Sequence, residues 1–147
     1  MRFSKIVLSL GAGLLCSSCT STPVFTPQEI NSVLREITGQ NGRACMYERN
    51  ISGYATFNDS VISVSDKFRK HYLLVTTYRC PAMESSSAAL FQGSFTEFCG
   101  GGRDWVITSQ GRCPIQSVYE FENRDAAFDA YDKAEAIMQG AQETQND

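Results

Sequence analysis

Seven short runs of β-branched and aromatic residues between Arg43 and Glu122 constrain the fold of this chain most strongly. Turn-forming residues separate the runs, as in Asn58-Asp59 and Ser65-Asp66-Lys67; such punctuation is typical of antiparallel strands. The pattern predicts strands near 44–50, 53–57, 60–65, 71–79, 89–98, 104–109 and 115–121. We therefore expect a mainly β fold, α+β overall, built as a small antiparallel β-barrel or sandwich of six or seven strands.

A helix is predicted on each side of the strands. Thr26-Pro27-Gln28-Glu29 has the form of a capping box with proline at the first helical position. Apolar residues then recur at helical spacing until Gly39, namely Ile30, Val33, Leu34 and Ile37. Asn123 is placed to cap a second helix over about 124–139, before Gly140. Its apolar stripe consists of Phe128, Tyr131, Ala134 and Met138.

Four cysteines lie in the segment predicted to be globular: Cys45, Cys80, Cys99 and Cys113. Zinc is an alternative to disulfides, but no C-x-x-C pair is present and the chain has one histidine, His71. Two disulfides are therefore favoured, and four cysteines allow three pairings. We expect Cys45 with Cys80 and Cys99 with Cys113, because each pair joins strands that are neighbours along the chain.

The first residues have the composition of an export signal. Arg2 and Lys5 precede an apolar run from Ile6 to Leu15, which is too short to span a bilayer comfortably. The segment ending at Cys19 resembles the lipobox of bacterial lipoproteins, although Cys16 stands where leucine is usual. That resemblance implies cleavage before Cys19 and acylation of Cys19. The alternative is an ordinary secretory signal, which would leave a soluble periplasmic protein.

The resulting organisation is a signal at 1–18, a tether at 19–25, one domain at 26–139 and a frayed tail at 140–147. Without residues 1–18 the 147-residue chain retains 129 residues, enough for one domain. Eleven basic and sixteen acidic residues remain, a net charge of −5. This balance argues against nucleic acid as a partner, which requires clustered positive charge.

The cysteines and their neighbours resemble an uncharacterised proteobacterial family of small exported proteins, known only as a domain of unknown function. The matching features are Arg43-Ala44-Cys45, Tyr72-Leu73 before Cys80-Pro81, Gly102-Arg103-Asp104 after Cys99, and Cys113-Pro114-Ile115. The likeness covers Arg43 to Phe121. It implies an exported β domain with disulfides and supplies no catalytic residues.

The segment from Cys99 to Trp105 contains three consecutive glycines and is the most unusual motif. A phosphate-binding loop is disfavoured because the residues that follow predict a strand, not a helix. The favoured interpretation is a glycine-rich bend beside a disulfide. Arg103, Asp104 and Trp105 form a hypothetical recognition edge, since arginine and large aromatics are common anchors at binding sites.

Catalysis has weak support in the sequence. His71 is the only imidazole, and its favoured role is that of a polar strand residue. Paired carboxylates such as Asp59 with Asp66, or Glu97 with Asp104, are more typical of turns than of acid/base chemistry. We therefore assign no catalytic residue, no metal and no cofactor.

The sequence as a whole predicts a lipid-anchored accessory protein of the cell envelope, a binding or structural module whose partner is an envelope protein or glycan. Aspartate directly after the acylated cysteine would resemble an inner-membrane retention signal. This chain has Thr20 at that position, which favours the periplasmic leaflet of the outer membrane. The alternatives are an inhibitor of a secreted hydrolase and, less favoured, a hydrolase of envelope polymers. Binding is preferred because aromatic residues exceed what a small core buries easily, among them Tyr47, Tyr54, Tyr78, Phe91, Phe95 and Trp105.

Overall fold

The structure is a computed structural model that describes residues 24–145. The signal at 1–18, the acylation site at Cys19 and most of the tether lie outside the described residues, so these predictions stay predictions. Within the described part of the chain, no helix combines the length and the hydropathy that crossing a membrane requires.

Helix α1 (Pro27–Thr38) begins and ends where the sequence predicts. The side chain of Thr26 accepts the backbone N–H of Glu29, and the Glu29 carboxylate accepts the N–H of Thr26. Gly39 ends the helix with φ +67°, a left-handed conformation that glycine adopts without steric cost. The buried residues Ile30 and Leu34 dock α1 on the sheet.

Eight strands follow, and all of the named pairs are antiparallel. The predicted strands at 44–50 and 89–98 are the least accurate. The first is reduced to two residues and a 3₁₀ turn, and the second is divided by a turn at Ser94–Glu97. The strands are β1 (Met46–Tyr47), β2 (Ile51–Thr56), β3 (Val61–Asp66), β4 (His71–Thr76), β5 (Ala89–Gln92), β6 (Glu97–Phe98), β7 (Asp104–Thr108) and β8 (Gly111–Phe121).

The main sheet has six strands in the order β2-β3-β4-β8-β7-β5, and β1 and β6 form a separate two-stranded sheet. Strand β8 pairs with β7 through its first half and with β4 through its second half. The register between β4 and β8 shifts near Thr76, which is typical of a bulge that bends a sheet. The sheet curls so far that Tyr54 of β2 and Phe91 of β5, on its two edge strands, lie with ring centroids 5.6 Å apart.

Two hydrophobic clusters lie on the two faces of the sheet, as the alternation of residues in β3 and β4 predicts. Ile62, Tyr72 and Leu74 point into the curl of the sheet, where Phe98 and Val106 also pack. The other face is covered by α1 and α2 (Arg124–Gln145) and includes Val61, Leu73, Val75, Tyr119 and Tyr131. The predicted mainly β, α+β fold with two flanking helices is therefore confirmed.

Helix α2 continues to Gln145, beyond the end predicted at 139. Gly140 lies inside the helix, and its carbonyl accepts a hydrogen bond from the Thr144 hydroxyl at 3.0 Å. Glycine within a helix costs about 1 kcal/mol relative to alanine, and this penalty alone does not end a helix. The expected boundary was therefore wrong because Gly140 was treated as a C-cap.

The cysteines form two disulfides, but the expected pairing was wrong: Cys45 is bonded to Cys99, and Cys80 to Cys113. Pairing of β1 with β6 places Met46 opposite Phe98 and brings Cys45 beside Cys99. The prediction failed because it used neighbours along the chain, whereas β8 lies between β4 and β7 in the sheet. The bonds join residues 54 and 33 positions apart. In the chain-entropy model, loops of such lengths stabilise a fold by about 4 kcal/mol each.

Candidate binding cleft beside the glycine-rich bend

A tight turn at Ser94–Glu97 connects β5 to β6 and projects one aromatic side chain into solvent. Both central residues have positive φ, +56° for Phe95 and +70° for Thr96. The N–H of Glu97 donates to the carbonyl of Ser94 at 3.2 Å, as in a type I′ turn. Such turns favour Asn-Gly, because left-handed backbone costs other residues about 1–2 kcal/mol each. The Phe95 side chain is 98% exposed, so no burial compensates this cost.

The buried carboxylate of Asp104 stabilises this turn through hydrogen bonds to the backbone. Its side chain is 3% exposed, and its carboxylate accepts three backbone N–H groups. One oxygen accepts from Ser94 at 3.1 Å, and the other from Cys99 and Gly100 at 2.6 and 2.7 Å. Hydrogen bonds to an ionised acceptor are stronger than neutral ones. Asp104 therefore fixes the turn and the glycine-rich bend to each other.

The three glycines form the bend that the sequence favours. Gly100, Gly101 and Gly102 have φ values of +74°, +96° and +80°. Their N–H groups donate to the Asp104 carboxylate and to the carbonyls of Gln116 and Ile115, respectively. All three donors are therefore engaged within the protein, unlike those of a phosphate-binding loop.

Two further contacts brace the turn. The Cys45–Cys99 disulfide ties the bend to β1, and the Glu48 carboxylate accepts the N–H of Gly93. A Cβ at Gly93 would overlap the backbone of Glu97, so only glycine allows the chain to pass so closely. The exposed turn is thus held in one conformation by a disulfide and by partly buried hydrogen bonds.

A cleft of about 580 Å³ lies between the turn and the bend. Two arginines, one aromatic residue and two carboxylates are prominent among its lining residues. The complete lining is Arg43, Ser94, Phe95, Glu97, Cys99, Gly100, Gly101, Arg103 and Asp104. We call this feature the tip cleft.

The two arginines of the tip cleft are exposed, and no described side chain pairs with either guanidinium. The ion pairs within residues 24–145 join Lys70 to Glu120 and Arg79 to Asp59 instead. The Arg43 guanidinium lies against Gly101, where a Cβ would overlap Nη1. Because Gly101 has no side chain, the Arg43 guanidinium packs against the bend beside the turn.

The structure separates the residues of the predicted recognition edge. Asp104 points inward and is engaged with the backbone, whereas Arg103 is exposed and Trp105 is half-buried. Arg103 belongs to the glycine-rich bend, just before β7 begins at Asp104, whereas Trp105 lies within β7. Of the aromatic residues expected at the surface, Phe91 is buried, while Tyr47, Tyr54, Tyr78 and Phe95 are exposed. The binding role of Arg103 and Trp105 stays a prediction.

His71 lies on the sheet face covered by α2, away from the tip cleft. Its Nε2 is 2.6 Å from the hydroxyl oxygen of Ser63, and its Nδ1 is 3.0 Å from that of Ser65. The side chain is 3% exposed, and the Phe128 ring packs edge-on against it. Burial, aided by the positive charge of Arg124, lowers the pKa of His71. A serine and a histidine within hydrogen-bond reach form no accessible nucleophilic site here, because Ser63 is itself 2% exposed.

The carboxylate pairs considered above have structural partners. Asp59 pairs with Arg79, and Asp66 accepts backbone N–H groups of Phe68 and Lys70. Within residues 24–145, no group of three histidine, cysteine or acidic residues is placed to hold a metal ion. These acidic residues therefore have capping and ion-pair contacts, as expected for acids at turns.

Sequence reasoning counted Phe95 among the surface aromatic residues but placed neither Phe95 in a turn nor Arg43 in a cleft. Phe95 lies within a run that predicts a continuous strand, and nothing in Phe95-Thr96 signals a type I′ turn. Arg43 is distant in sequence from Arg103, and only the three-dimensional fold brings both into one cleft. The glycine at position 93 was the one local signal of a break in the strand.

The comparisons with known proteins give a family and no function. A family model matches residues 2–137, and its description is that of a family of unknown function. The match extends well beyond the segment that carries the resemblance noted from the cysteines. No curated protein and no solved structure matches the chain significantly.

Proposed function

This chain belongs to DUF6491, the family of unknown function whose model matches it, and we propose that it is an exported envelope protein that binds a partner through the tip cleft. The observation that carries the proposal is Phe95. This aromatic side chain is 98% exposed on a backbone that disfavours it. Unfavourable backbone conformations persist where the surrounding structure enforces them, and they concentrate at functional sites.

Binding accounts for the features of the cleft better than hydrolysis does. Aromatic residues, phenylalanine included, and arginine are both enriched at protein–protein interfaces. Asp104, the most buried acid of the cleft, is saturated by three backbone donors and so is poorly suited to act as a general base. His71 lies elsewhere, beneath α2. The cleft thus has the chemistry of a contact surface.

Export is supported by the disulfides and by the leader. Disulfides persist in oxidising compartments such as the periplasm, and the described residues contain two. The family match begins at residue 2, so it includes the segment whose composition predicts an export signal. We propose that Cys19 carries the lipid anchor and that the protein resides on the periplasmic leaflet of the outer membrane. The intact mass of protein extracted from membranes tests this: a chain beginning with acylated Cys19 supports it, and an unacylated amino terminus overturns it.

Site-specific photo-crosslinking in cells tests the binding function. A photoreactive phenylalanine analogue is placed at Phe95, and the matched control carries it at Phe68, which is 69% exposed on the turn between β3 and β4. The proposal predicts a discrete adduct through position 95 that position 68 does not give. Equal labelling at both positions, or none at position 95, would overturn the proposal.

Inhibition of a secreted hydrolase is a second candidate, and the braced turn favours it. A rigid projecting loop binds an enzyme cleft with little loss of conformational entropy. The Cys45–Cys99 disulfide and Asp104 supply this rigidity. A panel of lysozymes and proteases should then include one that the protein slows and that the Phe95→Ser variant does not. Full activity of every enzyme in its presence would exclude inhibition of that panel.

A further inference from the structure

The tip cleft offers two arginine side chains to a ligand. We propose that it binds an acidic peptide segment, with Arg43 and Arg103 holding its carboxylates and Phe95 contacting an apolar side chain between them. The inference rests on the proposed function and names the chemistry of the partner. Guanidinium groups match carboxylates in a planar, bidentate geometry.

The charge that the cleft makes available is positive, although the chain as a whole has a net charge of −3. Both oxygens of Asp104 accept backbone hydrogen bonds. Glu97 is the cross-strand neighbour of Tyr47, and its carboxylate raises the pKa of the Tyr47 hydroxyl. Asp104 is thus engaged, and Glu97 is the one remaining acid beside two guanidinium groups that lack a partner among the described residues.

Carboxylate is favoured over phosphate by the state of the glycine bend. Phosphate sites in glycine-rich loops use several free backbone N–H groups. Here those of Gly100, Gly101 and Gly102 all donate to protein acceptors. Among the described residues no lysine lines the cleft, and its cationic groups are two planar guanidinium groups instead of compact ammonium charges.

A peptide is favoured over a glycan by the remaining lining residues. Recognition of sugar hydroxyls requires groups that both donate and accept hydrogen bonds, such as side-chain amides. The described lining contains neither asparagine nor glutamine, and Ser94 supplies its one hydroxyl. Phe95 instead presents an apolar ring beside the arginines. This combination fits a segment in which glutamate or aspartate flanks a hydrophobic residue.

Titration of the full chain with defined probes tests the inference. The probe is a capped pentapeptide with four glutamates around a central phenylalanine, and its control replaces every glutamate with glutamine. Trp105, the single tryptophan of the chain, lies two residues from Arg103 and reports binding by fluorescence. Tripolyphosphate and oligogalacturonate are the phosphate and acidic-glycan arms.

The matched variants are R43Q/R103Q in the cleft and K67Q/R69Q on the β3–β4 turn, which remove the same charge. We expect the acidic peptide to bind, the neutral peptide to fail, and the cleft variant to lose at least about tenfold in affinity, which is about 1.4 kcal/mol. The turn variant should bind like the parent. Equal losses in both variants would reduce the effect to net charge and overturn the inference.

Tighter binding of tripolyphosphate or oligogalacturonate that depends on the same arginines would also overturn it. The experiments also distinguish failure of this inference from failure of the proposed function. A chain that ignores the acidic peptide but is still crosslinked through position 95 contradicts the carboxylate assignment alone. A chain that does neither contradicts both proposals.

Discussion

The turn at Ser94–Glu97 should become more stable when it is given the residues that its backbone prefers. Phe95→Asn with Thr96→Gly supplies the Asn-Gly pair of a type I′ turn. Relief of the left-handed backbone strain raises the free energy of unfolding by about 1–2 kcal/mol per residue. The greater conformational freedom of glycine in the unfolded chain lowers it by about 0.4–1 kcal/mol. Little packing is lost, because Phe95 is 98% exposed. Because asparagine keeps part of the left-handed cost, we expect the free energy of unfolding to rise by about 1–2 kcal/mol.

For a domain of this size, that gain should raise Tm by about 5 °C. Arg69→Gly is the matched control: Arg69 has φ +71° on the exposed β3–β4 turn, away from the tip cleft. Thermal unfolding followed by circular dichroism should show both variants stabilised, and only the first should lose capture of a partner. If Arg69→Gly gains stability while the Asn-Gly variant is unchanged or weaker, the conformation assigned to Phe95 and Thr96 is wrong.

Three other substitutions test parts of the same account. Asp104→Asn should lower the free energy of unfolding by about 3 kcal/mol, because three charge-assisted hydrogen bonds weaken; a loss below about 1 kcal/mol in urea unfolding would contradict the role of Asp104. Gly101→Ala should destabilise by about 1–2 kcal/mol, since its positive φ disfavours a side chain and the new methyl meets Arg43; an unchanged urea midpoint would contradict this packing. Burial lowers the pKa of His71, so its contribution to stability is complete above the unfolded pKa of about 6.5 and is lost as pH falls through the folded value. His71→Gln should flatten that acid-side decline in urea unfolding, and an unchanged pH profile would contradict the assignment.

Local sequence signals predicted the elements that are stabilised locally. The cap at Thr26, the stop at Gly39 and the alternation in β3 and β4 each depend on a few adjacent residues. The disulfide pairing depends instead on which strands are neighbours in the sheet. Strand β8 is inserted between β4 and β7, so Cys80 meets Cys113 and leaves Cys99 for Cys45.

The candidate site was harder to predict because its main residue contradicts local propensity. Phenylalanine and threonine favour strands, so Phe95-Thr96 extends the predicted strand through what is a turn. The surrounding contacts of Asp104 and the disulfide enforce the turn, and these come from other parts of the chain. The glycine bend was predictable, since three consecutive glycines have few structural roles other than unusual backbone geometry.

Oxidative footprinting of Phe95 in intact cells, compared with the purified protein, tests the binding role of the tip cleft most directly. The account predicts that Phe95 is oxidised readily in the purified protein and is protected in cells. Phe68, which is 69% exposed, should be oxidised equally in both. Equal oxidation of Phe95 in cells and in purified protein would contradict the claim that a partner covers the tip cleft.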